Sequence, residues 1–168
     1  FFLGLATPRC SSPSNSFFVP DNVGRARIDG QELSARWAPD AHVSLEARAA
    51  RLIGKSRNTG ARLAKRPEWR GGASLTTLPL SWLTATAEWQ WVGSERDPFV
   101  FIDAEGRVLD GDTPGYAVLD LGAAVSMRRW APLDLRLRLG NALDRSYSEV
   151  RGFPARGRAL TVGVSVNP

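Results

Sequence analysis

Leu133–Asp134–Leu135–Arg136–Leu137–Arg138–Leu139 places leucine at every odd position and a charge at every even one. A β-strand sends successive side chains to opposite faces, so this stretch predicts a strand with one aliphatic face and one ionic face. The same alternation recurs elsewhere. Val43, Leu45, Ala47 and Ala49 interleave with Ser44, Glu46 and Arg48. Leu83, Ala85, Ala87, Trp89 and Trp91 interleave with Thr84, Thr86, Glu88 and Gln90. Near the end, Leu160, Val162, Val164 and Val166 oppose Ala159, Thr161, Gly163 and Ser165. A soluble sheet uses such a pattern over its core. Its repetition in segments of similar length points to a wall with lipid on one side and water on the other.

Period and turn residues predict seven clear strands, over 25–37, 42–53, 68–78, 83–96, 116–127, 133–142 and 157–166. Residues 1–5 form the tail of a possible eighth, followed by a Pro/Ser-rich loop over 6–21. Short turns are expected at Pro39–Asp40, at Pro79–Leu80–Ser81 and over 128–132. Long connections are expected over 54–67, 97–115 and 143–156. The connections therefore alternate short and long, as in outer-membrane barrels with short periplasmic turns and longer extracellular loops. The fold class expected is all-β: an antiparallel up-and-down transmembrane barrel segment of about seven to eight strands, part of a larger barrel.

Tryptophan supplies an independent check. Trp37, Trp82 and Trp130 lie beside short turns, whereas Trp69, Trp89 and Trp91 lie toward the long connections. Indole rings favour the headgroup level, so the two groups predict one aromatic girdle per interface.

Composition narrows the alternatives. No stretch reads as a spanning helix: the longest charge-free segment, 71–87, contains Pro79 and many small polar residues. The net charge of +5 is dispersed along strands instead of clustered, which argues against a nucleic-acid partner. Arg36, Arg48, Arg136 and Arg138 fall on the polar phase, where they would line a lumen. The single cysteine, Cys10, excludes an internal disulfide. One histidine, His42, and one cysteine cannot supply a zinc site, and His42 at a turn reads as a surface residue. Asp103, Glu105, Asp110 and Asp112 meet no calcium-site spacing and read as a solvated acidic loop. No Gly-rich phosphate cradle precedes a helix. No catalytic residue, cofactor or metal ligand is expected.

The segment after Leu139 carries a resemblance. Asn141, Leu143, Asp144, Arg145 and Tyr147 fit the N-L-F-D-K-x-Y signature near the end of TonB-dependent outer-membrane receptors, with Ala142 in place of the bulky residue. Gly152, Pro154, Gly157 and Arg158 fit the G-Y-P-x-P-G-R segment that introduces the last strand, with Arg156 in place of the second proline. Asn22, Gly24, Ala26, Gly30 and Glu32 are similar to the family's N-x-G-x-A-x-x-x-G-x-E strand. Asn58, Thr59, Gly60, Leu63, Arg66 and Pro67 resemble the loop before the next strand, and Leu119–Asp120–Leu121 the V-D-L strand. The order of the motifs is the family's own, and the closest flavour is its cobalamin and siderophore branch. At the end, Val166–Asn167–Pro168 departs from the aromatic terminus usual in the family.

The resemblance implies the C-terminal part of a receptor barrel in the outer membrane of a Gram-negative bacterium. The plug domain and the TonB-contacting segment would belong to an N-terminal part outside this chain, which starts with Phe1–Phe2–Leu3–Gly4 and is expected to begin partway through a larger protein. Lipid would meet the outer face, and a small-molecule nutrient the loops over 54–67, 97–115 and 143–156. The motif residues are expected to act structurally. Asn141 and Asp144 would close a strand end by side-chain to backbone hydrogen bonds. Gly152 and Gly157 would permit bends. Glu32, Asp120 and Arg138 would face the lumen. The two other readings are a small passive porin-like barrel and a soluble β-sandwich binding module.

Overall fold

The computed structural model of the protein describes residues 2–5, 18–21, 24–97, 101–102, 108–109, 111–129 and 131–166. Within them the chain forms β1 (Phe2–Leu5), β2 (Phe18–Asp21), β3 (Ala26–Asp40), β4 (Val43–Ser56), β5 (Trp69–Leu80) and β6 (Leu83–Val92). It continues with β7 (Phe101–Ile102), β8 (Val108–Leu109), β9 (Tyr116–Ser126), β10 (Leu133–Gly140), β11 (Ser148–Val150), β12 (Phe153–Pro154) and β13 (Ala159–Val166). Seven of these make one antiparallel sheet in the order β13-β10-β9-β6-β5-β4-β3. Three separate two-stranded ribbons are β1-β2, β7-β8 and β11-β12.

The register carries a single polarity across the sheet. Leu135 pairs with Val125 on one side and Val164 on the other, and Leu137 with Ala123 and Val162. The row continues through Ala85 and Ala87 on β6, Ala73 and Leu75 on β5, Leu45 and Ala47 on β4, and Ala35 and Trp37 on β3. Directly opposed residues share a face. These residues therefore make one continuous apolar surface, while Arg36, Glu46, Arg48, Glu88, Asp120, Arg136 and Arg138 share the other. Among the described residues no second layer covers the apolar face: Leu160, Val162, Val164 and Val166 are each more than half exposed, and Leu63 is the one buried hydrophobic side chain. That excludes a sandwich, whose leucine rows would be packed between layers. The inter-strand ladder satisfies the backbone polar groups inside the sheet, which is what a wall facing hydrocarbon requires.

The sheet is open. Strands β3 and β13 stand at its two ends and do not pair with each other, as expected of part of a larger barrel and not of a small closed one. No helix among the described residues is long and apolar enough to cross a membrane.

Several expected boundaries shift. The prolines at 39 and 79 lie inside strands, each at a register irregularity between Trp37 and Asp40 or between Thr77 and Leu80. Proline is tolerated at a bulge because no ladder hydrogen bond is lost there. The tight turns consequently fall at Ala41–His42 and Ser81–Trp82. The Asp40 carboxylate closes the first by accepting from the His42 and Val43 amides at 2.7 and 3.0 Å. Strand β4 runs on to Ser56 instead of stopping at Ile53, and β6 stops at Val92 instead of reaching Arg96. Phe18–Asp21 is a strand paired with β1, not loop. The connections over 97–115 and 143–156 hold the short ribbons β7-β8 and β11-β12. Trp37 and Trp82 lie at the short-turn end and Trp69, Trp89 and Trp91 at the other. Trp130 and Cys10 lie outside the described residues, as do Asp103, Glu105 and Asp110.

Candidate functional site

On the polar face, two adjacent rungs near the long-connection end bring chemistry together. One runs Ser34–Arg48–Gly72–Gln90–Val118, and the next Glu32–Ala50–Arg70–Val92–Tyr116. Gly72 leaves room for its neighbour: a Cβ there would meet the Trp89 carbonyl at 2.9 Å and the Arg48 Nε at 3.6 Å. The rungs floor a concavity of about 800 Å³ whose lining includes Glu32, Arg48, Arg70, Gln90, Tyr116 and, from β11, Glu149. The Thr113 hydroxyl oxygen, also at this lining, is buried with no hydrogen-bond partner among the described residues. The surface offers guanidinium groups, carboxylates and an aromatic ring to a polar solute.

The motif residues lie to one side, on the rim of a second concavity of about 330 Å³ that is lined by Asn141, Tyr147 and Gly157 and shares Gln90 with the first. Asn141 is buried, and its amide donates to Asp120 Oδ1 at 2.8 Å. The other Asp120 oxygen accepts from Arg138 Nη2 at 2.6 Å, so one carboxylate joins β9, β10 and the start of the loop. Asn141 Oδ1 accepts from the Arg145 amide at 2.9 Å, and Asn141 Nδ2 donates to the Arg145 carbonyl at 2.8 Å. Asp144 Oδ1 accepts from the Arg158 amide at 2.9 Å, which ties the loop's start to the entry of β13. Asn141 and Asp144 both adopt left-handed backbone, with φ of 48° and 52°. Among non-glycine residues, Asn and Asp tolerate that region best.

Gly152 sits at the turn of the β11-β12 ribbon with φ of 82°, where a side chain is strained. Gly157 differs from expectation: it is not among the left-handed glycines, and its role is space, since a Cβ would come within 3.2 Å of Asp144 Oδ1. Pro154 pairs with Ser148 across the ribbon, and Leu143 stays exposed. Tyr147 stacks on Tyr116 with ring centroids 4.4 Å apart, so the chain's two tyrosines meet at the concavity's edge. Burial, then Glu149, pushes the Tyr147 phenol above its ordinary value.

Two features escaped the sequence reading. Arg151 and Asp97, both buried, lie 3.9 Å apart at Nε and Oδ2, and Arg151 Nη2 donates to the Asp97 carbonyl at 3.2 Å. Lys65 Nζ also stands 3.9 Å from that carboxylate, and its amide donates to the Arg96 carbonyl at 2.8 Å. The three long connections thus converge on Asp97. Burial, then the Asp97 charge, raises the neighbouring Glu95 carboxyl above its ordinary range.

The second feature is a reversal of polarity. Beyond Ala49 the odd positions of β3 and β4 become polar: Gln31 opposes Arg51, and Arg27 opposes Lys55, with Ile53 opposite Asp29 the exception. The even positions turn apolar, with Ile28 and Leu52 on the inner face. Leu63 packs there against Gly54, where a Cβ would meet its Cδ1 at 2.9 Å. The change of phase was visible in the sequence, because Arg51 and Lys55 fall on the positions that Val43 to Ala49 keep apolar.

Among the described residues no group of three or more His, Cys, Asp or Glu side chains is arranged to hold a metal ion.

The family described as TonB dependent receptor-like, beta-barrel, matches residues 4–142. No curated protein matches. Among solved structures, the chain is similar to the ferric-catecholate import receptor Fiu from E. coli in its open form. The TM-score is 0.65 at 18% identity, with 83% of this chain and 20% of that one covered. It is similar to the ferripyoverdine receptor of the outer membrane of Pseudomonas aeruginosa bound to ferripyoverdine, with a TM-score of 0.67, 18% identity and coverages of 83% and 19%. It is similar as well to the copper transporter OprC, with a TM-score of 0.64, 22% identity and coverages of 83% and 23%. The chain spans about a fifth of the length of these structures. They are receptors and transporters, not enzymes, and they give the cobalamin branch no specific support. A single-layer antiparallel wall with an apolar and a polar face, and a family match over most of its length, make this chain a member of the TonB-dependent receptor β-barrel family.

Proposed function

We propose that residues 1–168 are the C-terminal part of the barrel of an outer-membrane receptor in a Gram-negative bacterium. The receptor captures a scarce nutrient, a siderophore-type metal chelate or cobalamin, and imports it with energy delivered through TonB to a plug domain outside this chain. The observation that carries this reading is the two-faced wall within the matched span 4–142. Its apolar face suits lipid. Its polar face holds Arg48, Arg70 and Tyr116 beneath the β11-β12 ribbon, where a solute entering from the long-connection side would meet them. The similarity to a ferric-catecholate import receptor and to a ferripyoverdine receptor favours the chelate over cobalamin. The motif residues Asn141, Asp144, Gly152, Gly157 and Arg158 serve the rim's architecture in this reading, not ligand contact.

The test is uptake by a Gram-negative strain in which the full-length gene has been deleted and restored. Restoration should recover accumulation of a ferric siderophore from a panel that also includes cobalamin, and deletion of TonB should abolish it. Accumulation that persists without TonB would overturn the energised reading.

A further inference from the structure

The polarity reversal leaves a cationic ladder on the outer face directly above the apolar band. Arg27 and Lys55 are direct cross-strand partners, and Lys55 is bridged in turn to Arg62. Opposed residues share a face, so three cations stand side by side on one rung, an arrangement that is destabilising without counter-charge. Arg51 stands four positions below Lys55 on the same face, with its guanidinium 5.2 Å from the centre of the Trp69 ring. The local acids are already engaged. Asp29 pairs with Arg27 at 2.9 Å, and Glu68 is shared between Arg51 at 2.7 Å and Arg62 at 2.9 Å. Lys55 has no carboxylate partner among the described residues. Four cations therefore face two carboxylates, and all of the cations except the half-buried Arg51 are exposed.

The placement of the ladder identifies its occupant. Trp69 opposes Arg51 in the register, so the ladder begins at the headgroup level, where indole rings settle. From Arg51 to Lys55 the strand climbs about 14 Å, or roughly 10 Å of height once a barrel strand's tilt is allowed for. The headgroup layer of an ordinary phospholipid is only about 6 Å thick. An anion that meets the whole ladder must carry phosphates on a headgroup taller than that. We propose that the outer face of β3, β4 and the following loop binds the phosphates of a glycolipid with an extended headgroup in the surrounding outer leaflet. Arg27, Lys55 and Arg62 supply the charge, and Arg51 seated on Trp69 marks the base. A soluble polyanion would match the charge but not the continuity with the apolar band.

This inference rests on the outer-membrane placement proposed above, though not on the transported nutrient. The full-length receptor, purified in an uncharged detergent, is titrated with rough-type lipopolysaccharide, with the same glycolipid after phosphatase treatment, and with inorganic phosphate. Binding is read by native mass spectrometry. The intact glycolipid should bind. The triple variant Arg27→Gln, Lys55→Gln and Arg62→Gln should bind it about a hundredfold more weakly, at roughly fivefold per cation. Retained heat-modifiable migration on a gel shows that the variant is folded. Equal binding by the variant, equal binding of the dephosphorylated glycolipid, or equal saturation by inorganic phosphate would each overturn the proposal. Failure of the full-length protein to fractionate with the outer membrane would instead overturn the placement on which it rests.

Discussion

The lower and upper parts of the β3-β4 pair are one continuous ladder with opposite polarity. Below Ala49 the odd positions are apolar and uncharged; above it they carry Arg51, Lys55, Arg27 and Asp29, and the apolar residues move to the inner face with Leu63. Backbone geometry is the same in both, so the change reports a change of solvent. The lower part faces hydrocarbon, where apolar residues point outward. The upper part projects above the hydrocarbon, where polar residues can point outward; on its inner side Leu63 is buried while Ile28 and Leu52 stay exposed. The boundary is thereby located by charge phase alone, and it agrees with the level of Trp69.

The sharpest way to break this contrast is to move a charge across the boundary. Leu137→Arg, on the apolar face of β10, should destabilise the folded barrel by about 3 kcal/mol in lipid vesicles, whereas Ile53→Arg should change stability by less than about 0.5 kcal/mol. Reversible denaturant unfolding of the full-length receptor in vesicles measures both. Equal costs would erase the boundary. Leu63→Ala tests the other half. Removing the buried side chain should cost about 2 kcal/mol, confined to residues 52–63, so hydrogen exchange should quicken there and not in β9 or β10. Asn141→Ala leaves the Arg145 backbone without its side-chain partners and should cost about 1.5 kcal/mol, with faster exchange over 141–147.

The smallest effect is electrostatic. The hydrogen bond from Arg51, together with the nearby Arg62 charge, holds the Glu68 carboxyl below its ordinary value of 4.5. A carboxyl whose folded value is depressed contributes stability above its unfolded value and loses it as pH falls through the folded one. Exchange protection around residues 62–68 should therefore weaken below about pH 4.5 in the native protein. Glu68→Gln should abolish that dependence.

Fold class and face assignment were legible because alternation has a period of two and the wall leaves both faces readable. Leu133 to Leu139 alone fixes the phase of β10, and the ladder extends it to six neighbours. Turn positions were less legible. Proline reads as a strand terminator in sequence, yet the prolines at 39 and 79 sit at bulges where the strand continues. The ribbons in the long connections are only two or three residues per strand, too short to show alternation. At the rim, the hydrogen-bonding roles of Asn141 and Asp144 were legible from residue type. Their left-handed backbone and the spatial role of Gly157 depend on partners brought near by folding. Arg151 and Asp97 are 54 residues apart, and nothing local in either stretch announces the other.

Asp97 has one more consequence. Because Lys65 and Arg151 reach the same nearly dry carboxylate, three segments distant in the chain share a fastening point. A substitution that removes this carboxylate therefore acts on all three segments at once, although they are far apart in sequence.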